Sequence, residues 1–266
     1  MKRYGEILFL GKCNQKCFYC LGNEMPKASQ QDWLTTPFTH FLDFFRFIDI
    51  LRYRDIDEVY LSSVNTEPLL YKYTDRLVEY LHKKGFKVGI RTNGTIYDDV
   101  LKELDGEISI SINSFNDETN KKICGRKSPY ETVKKILDNL RGLGKTVRIS
   151  ILINKYNVDE FDDMLNKLKD YSDVIDYIQI RRWYTLHDTA DNTPYDKCVQ
   201  FIKDNYKYVG NFYESNIYET EYGVKVSLWD TVFKRESVQS VNYFPDGKIS
   251  DYNLLIPIYE ENKNLI

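Results

Sequence analysis

The 266-residue sequence holds only three histidines and five cysteines, and no apolar run approaches the roughly 20 residues needed to cross a bilayer. His40, His82 and His187 are too scattered to pair with one another or with a cysteine as metal ligands. An odd number of cysteines argues against a complete disulfide framework. A charge excess is missing too: 37 basic and 40 acidic residues leave a net charge of −3, so no whole-protein field draws in nucleic acid or an anionic membrane, and neither is expected as a partner. The first residues carry a short basic cluster, but the apolar stretch 7–10 is too short for a secretory signal and no small-residue cleavage site follows, which predicts a cytoplasmic protein. Internal repeats, low-complexity tracts and flexible linkers are also lacking.

What is present is ordinary globular composition, 42% hydrophobic and 29% charged, far from the signature of disorder. Short β-branched runs alternate with amphipathic stretches, the pattern of repeated βα units around a parallel sheet. Strands are expected at 4–10, 58–62, 87–91, 107–113, 146–153 and 177–182. Helices are expected at 36–53, 70–84, 97–103, 130–143, 158–171 and 194–205. The helix from Tyr130 shows its period clearly: Val133, Ile136, Leu137, Leu140 and Leu143 fall on one face, and Gly142 and Gly144 suit its end. Asn157 is positioned as the N-cap of the next helix. Beyond about Trp183 aromatics become dense, with short strands expected at 224–229 and 241–244 before a Pro-Asp-Gly turn at 245–247. The chain therefore divides into a core, 1–185, and a C-terminal extension, 186–266, packed on it and contributing to the substrate pocket.

The most informative segment is Gly-Lys-Cys-Asn-Gln-Lys-Cys-Phe-Tyr-Cys at 11–20, three thiols directly after a strand. Thiolates are soft ligands suited to zinc, copper(I) or iron–sulfur clusters. A structural zinc site needs four protein ligands, and no fourth lies nearby. A 4Fe–4S cluster held by three thiolates leaves one iron open, a catalytic arrangement.

Cys-x3-Cys-x2-Cys with an aromatic residue, Tyr19, before the last cysteine resembles the signature of radical S-adenosylmethionine enzymes. Further segments follow in the family's order. Val-Asn-Thr-Glu-Pro at 64–68 stands where the family has a Gly-Gly-Glu-Pro-like segment, with Asn65 and Thr66 replacing both glycines. Thr-Asn-Gly at 92–94, Ser-Ile-Ser-Ile-Asn-Ser at 109–114 and Cys-Gly-Arg at 124–126 come after it. The resemblance implies a (β/α)6 partial TIM barrel in an α/β protein, with one 4Fe–4S cluster held by Cys13, Cys17 and Cys20, and S-adenosylmethionine bound at its open iron. It further implies that Glu67 accepts a hydrogen bond from the methionine ammonium, with Asn65 and Thr66 beside it, and that Thr92 and Asn93 contact the cofactor. Ser111 and Asn113 would reach its ribose hydroxyls or carboxylate, Tyr19 its adenine and Arg126 its carboxylate. Reductive cleavage to a 5′-deoxyadenosyl radical would then start hydrogen abstraction from a small molecule or peptide, with an electron donor such as flavodoxin or ferredoxin as partner.

Each segment also has an ordinary explanation. Residues 65–67 read as a polar loop, 92–94 as a bare Asn-Gly turn, and Ser111 and Asn113 as satisfied strand-end positions. Cys124 is either a hydrogen-atom donor near the radical or a small hydrophobe entering a helix, and the second reading is favoured. Arg181, Trp183, Tyr184 and His187, after the sixth strand, either line the substrate pocket or form an aromatic packing loop. No cysteine follows Cys198, so a cysteine-rich auxiliary-cluster domain is not expected. Two other functions fit: an activating enzyme for a glycyl-radical protein, and a metal protein that binds or senses without catalysis.

Overall fold

A computed structural model describes residues 3–24, 32–185, 189–212, 215–229 and 240–251. Its first six strands are β1 (Tyr4–Phe9), β2 (Glu58–Ser63), β3 (Lys87–Thr92), β4 (Ile108–Ser111), β5 (Val147–Leu152) and β6 (Tyr177–Arg181). They pair in parallel and in sequence order, as repeated right-handed βα units require. The chain after 185 joins the same sheet at both edges. There β9 (Lys225–Trp229) pairs in parallel with β6, and β10 (Ser240–Tyr243) pairs in parallel with β1. Among the described residues the parallel set is thus eight strands wide rather than six. The antiparallel strands β7 (Lys207–Phe212), β8 (Ser215–Glu219) and β11 (Ile249–Ser250) lie outside them, and the sheet stays open.

The helices α1 (Phe44–Tyr53), α2 (Thr74–Lys83), α4 (Tyr130–Leu140) and α5 (Phe161–Leu168) all carry an apolar face, and α6 (Thr193–Asn205) follows β6. These faces pack on alternate strand residues, among them Ile7, Phe9, Val59, Leu61, Val88, Ile90, Ile110, Ile149 and Ile178, in one continuous core. The extension enters that core: the Tyr243 ring stacks on Phe47 at 5.0 Å, and its hydroxyl donates to the Leu42 carbonyl at 2.7 Å.

Several elements are shorter than their hydrophobic patterns predict. The stretch 97–103 makes only a single 3-10 turn, capped by Asp98 accepting from the Val100 N–H at 2.9 Å. α1 starts eight residues later than expected, behind Asp43 with φ 54°. α4 stops at Leu140 because the chain turns left-handed at Gly142, φ 76°, and this swings Leu143 out of the helical phase to 48% exposure. Asn157 does not cap α5. It is buried, accepts from the Asn154 N–H and donates to the carbonyls of Asn113 and Leu152. The helix α3 (Asp117–Cys124) has no expected counterpart, because its first six residues, Asp-Glu-Thr-Asn-Lys-Lys, carry no apolar stripe. It is nucleated instead by Asn116, whose Oδ1 accepts from the Glu118 and Thr119 N–H groups at 2.9 and 3.1 Å, and it is closed by Gly125 at φ 69°.

Ile136 and Leu143 share one helical phase in sequence but not one environment. Ile136→Ala should cost about 2–5 kcal/mol of unfolding free energy, whereas Leu143→Ala should stay within about 0.5 kcal/mol of wild type. Equal losses in urea denaturation would contradict the placement of the helix end.

Candidate active site at the strand ends

The three thiols sit on the loop that leaves β1, at the C-terminal edge of the sheet, and five segments pin that loop. Its backbone N–H groups at Lys16 and Phe18 donate to the carbonyls of Cys124 and Ile123 at 2.8 and 3.1 Å, tying it to the end of α3. The Gly11 N–H donates to Asn65 Oδ1 at 3.2 Å, and Asn14 joins Thr95 and Asn93 at 2.7 and 2.9 Å. Phe18 meets Trp183 and Tyr156 edge to face, with ring centroids 5.1 and 5.9 Å apart. Gly22 abuts residues 64–65 so closely that a Cβ there would lie 2.4 Å from the Val64 carbonyl oxygen. Only glycine lets the two loops meet, a constraint that a single glycine in the sequence does not reveal.

Cys13, Cys17 and Cys20 are half-buried and unbridged. Burial raises the Cys13 thiol, and so, to a lesser degree, do Glu67 and the two other thiols of the loop. Cys17 is raised chiefly by its hydrogen bond to Cys124, and Cys124 is lowered by the same bond. As they stand, no three cysteine, histidine or carboxylate side chains among the described residues converge into a metal cage. Cys17 is turned inward, toward Cys124, Tyr19 and the Gln15 side chain. The donor set nevertheless suits a soft cationic centre: three thiols held on one pinned loop, two of them with their protons favoured by burial or by a neighbour. A bound metal would displace those protons and supply the missing positive charge.

Glu67 lies beside this loop, 1% exposed, at the start of a 3-10 turn after β2. Its Oε1 accepts from Thr92 Oγ1 at 2.7 Å and from the Leu69 N–H at 3.2 Å, and its Oε2 accepts from the Asn93 N–H at 2.7 Å. Thr92 and Asn93 therefore aim this carboxylate. The Asn93 side chain donates to Asn14 and reaches Cys13 Sγ at 3.9 Å. Burial raises Glu67 to about 7 against the pull of these hydrogen bonds, and no cation pairs with it among the described residues. A buried carboxylate of this kind fits an ammonium ligand. Thr66 presents a buried Oγ1 without a partner next to it.

The remaining expected residues divide. Asn113 is almost fully engaged: its Nδ2 donates to the Tyr19 hydroxyl at 2.5 Å and reaches Cys124 Sγ at 3.6 Å, while its Oδ1 accepts from the Leu152 N–H at 3.1 Å. Asn113 thus holds Tyr19 and Cys124 against the cysteine loop. Cys124 is buried as expected, yet in polar rather than apolar company. Ser111 is half-buried at the end of β4. Arg126 is exposed, and its segment is anchored through the carbonyl, which accepts from Asn120 Nδ2 at 3.0 Å. Arg181, Trp183 and Tyr184 stand half-buried at the end of β6, and His187 lies outside the described residues. Sequence reasoning overlooked Asn14 and Gly22, and read Asn157 only as a helix cap. Asn-rich loops gave the available signal, since asparagine readily bridges backbone groups in non-helical segments.

A mostly parallel, helix-covered sheet with a thiol-bearing loop at its C-terminal mouth defines an α/β enzyme of the partial-barrel type. The chain belongs to the radical SAM superfamily, which its residues 7–168 match. A stretch of 98 residues is 34% identical to the S-adenosyl-L-methionine-dependent tRNA 4-demethylwyosine synthase of Methanocaldococcus jannaschii, covering 36% of this chain and 32% of that protein. The GTP 3′,8-cyclase of Aquifex aeolicus is 25% identical over 192 residues, 69% of this chain and 58% of that one. The chain thus spans between about a third and three-fifths of these relatives. In fold it is similar to Streptococcus suis SuiB bound to the precursor peptide SuiA, with a TM-score of 0.65 and 13% identity over 99% of this chain and 61% of SuiB. TYW1 with a lysine-pyruvate adduct bound gives a TM-score of 0.53 at 19% identity, covering 76% of this chain and 74% of TYW1. Members of the superfamily use S-adenosylmethionine with an iron–sulfur cluster, and no helix among the described residues is long and apolar enough to cross a membrane.

Glu67 supplies a pH test. Its raised pKa makes folding most favourable while the group is protonated, below about pH 4, and that contribution is lost as pH rises through about 7. Glu67→Gln removes the dependence. The stability of the variant relative to wild type should rise by about 3 kcal/mol between about pH 4 and pH 8 in metal-free protein. A difference that stays flat across this range in denaturant unfolding would show that the carboxylate ionises normally.

Proposed function

We propose that the protein reductively cleaves S-adenosylmethionine to begin hydrogen abstraction from a small-molecule or peptide substrate. The observation that carries this reading is the buried Glu67 carboxylate, without a counter-cation among the described residues, set beside a pinned loop of three thiols. When bound, a 4Fe–4S cluster with one iron free of protein ligands supplies the electron that splits the sulfonium and releases a 5′-deoxyadenosyl radical. Cys13, Cys17 and Cys20 would hold the cluster, with Cys17 rotating away from Cys124 to do so. Glu67 would take the methionine ammonium in a charge-assisted hydrogen bond, and the unpartnered Thr66 hydroxyl would add a second contact. Thr92 and Asn93 serve this site by orienting the carboxylate. Ser111, on the face of β4 that looks away from the helices, would contact the ribose. Asn113 and Tyr19 act as a brace that sets the loop's distance from the strand ends. Arg126, exposed in this arrangement, would be the partner of the cofactor carboxylate.

Substrate would enter over the end of β6, which carries Arg181, Trp183 and Tyr184 and where Trp183 meets Phe18 of the cysteine loop. Both a nucleotide and a peptide are precedented, since one relative is named a GTP 3′,8-cyclase and one fold neighbour is bound to a precursor peptide. The electron would come from a flavodoxin- or ferredoxin-type donor.

After anaerobic reconstitution and reduction, the protein should form 5′-deoxyadenosine from S-adenosylmethionine. The Cys13→Ala, Cys17→Ala, Cys20→Ala triple variant should lose bound iron and this product together. Full iron loading in the triple variant would overturn the ligand assignment. Absence of deoxyadenosine from loaded wild type, with candidate substrates present, would overturn the activity.

A further inference from the structure

The strand face turned away from the helices is polar, and its charges can be matched rung by rung. Arg91 of β3 pairs with Glu6 of β1 and lies over the rings of Tyr4 and Tyr60, at 5.4 and 5.1 Å. Arg148 of β5 pairs with Glu107 at 3.0 Å and donates to Ser109 Oγ and Gln179 Oε1 at 3.0 and 3.3 Å. Each of these arginines has its carboxylate. Arg181, two rungs nearer the mouth on β6, has none among the described residues.

Arg181 sits in register between Leu152 of β5 and Trp229 of β9, neither of which offers a side-chain acceptor. Its Nε is buried without a hydrogen-bond partner. Two residues further, the Trp183 Nε1–H is buried and equally without an acceptor. Burial, and after it the charges of Arg148 and Arg91, push the Arg181 guanidinium down to about 10, so it stays cationic at neutral pH. A half-buried cation and, two residues on along the chain, an indole N–H, each lacking an acceptor, thus stand at the same end of β6. Isolated buried charge and unmet donors are costly, and an oxyanion removes both costs together.

We propose that Arg181 and Trp183 anchor a phosphate or carboxylate group of the substrate inside the barrel. The guanidinium fork would take two oxygens and the indole N–H a third contact. This rests on the reading of the site as an S-adenosylmethionine enzyme with its substrate over β6. The cofactor's own carboxylate is the competing occupant: it shares a carbon with the ammonium assigned to Glu67, which follows β2, whereas Arg181 ends β6, four strands further round the sheet. The anchored group is assigned to a second molecule on that separation, and the affinity of the Arg181 variant for S-adenosylmethionine decides between the two.

The test is calorimetric titration of the cluster-loaded protein, in the presence of S-adenosylmethionine, with pyrophosphate in one arm and citrate in the other. Wild type should bind at least one of the probes, and the tighter arm tells phosphate from carboxylate. Arg181→Gln should weaken that binding by about tenfold or more, the scale of a lost charge-assisted hydrogen bond. Trp183→Phe, which keeps the ring and removes only the N–H, should weaken it by a smaller factor. The affinity for S-adenosylmethionine, measured on the same Arg181→Gln preparation, should hold while oxyanion binding falls. No oxyanion binding by wild type, or equal binding by Arg181→Gln, would overturn the proposal while leaving the proposed activity intact. Parallel loss of cofactor affinity in Arg181→Gln would also overturn it, by giving the arginine to the cofactor. Failure of cofactor cleavage with oxyanion binding preserved would instead strike at the underlying activity.

Discussion

Parallel strands are usually apolar on both faces because helices cover both. Here helices cover one face only, and the other carries Glu6, Tyr60, Arg91, Ser109, Arg148, Ser150, Gln179 and Arg181. Holding such groups out of bulk water is tolerable only where each finds a partner, so the interior is organised by charge matching more than by packing. The Glu6–Arg91 and Glu107–Arg148 pairs close the lower part of the lumen and leave the unmatched groups at the mouth. The apolar core on the helix side supplies stability, and the polar side determines what can bind.

The mouth itself is asymmetric. On the β1 to β3 side stand buried acids and thiols that lack positive charge: Glu67 with its raised pKa, and Cys13 with its proton favoured by burial. On the β6 side stands a guanidinium that lacks negative charge. The cysteine loop bridges the two, with Tyr19 held by Asn113 below and Phe18 against Trp183 above. A cationic cofactor and an anionic second ligand would be sorted to opposite sides by electrostatics alone, before any shape selection.

Much of this was legible in sequence where the information is local. Six β-branched runs marked the six central strands, and the thiol triplet marked its own loop. Elements without an apolar period were not legible, as with α3, which is nucleated by Asn116, and with the hairpin of β7 and β8, whose strands mix glycine, asparagine and tyrosine. The polar lumen was in principle readable from Ser-Ile-Ser-Ile, Arg-Ile-Ser-Ile and Ile-Gln-Ile-Arg, because strict alternation in a strand destined for a parallel sheet means one face is not covered by helices. Contacts between distant segments were beyond reach. Nothing in the order of residues places Cys124 against Cys17, or shows that Thr92, Asn93 and Glu67, three separately recognisable positions, form one hydrogen-bonded unit.

That unit changes how the cofactor-binding segments are understood. If Thr92 and Asn93 met the cofactor directly, replacing either would remove one contact and leave Glu67 in place. Because they hold both oxygens of a carboxylate buried without a counter-cation, their loss would let it rotate or protonate, and the site would lose charge and direction together. The Asn93 side chain extends the same logic to the metal side: its backbone N–H orients Glu67 while its amide leans on Asn14 and Cys13. One residue thereby fixes the acid proposed to take the ammonium relative to a thiol proposed to take the iron. The two groups must keep that spacing for the amino acid end of a single ligand to reach both.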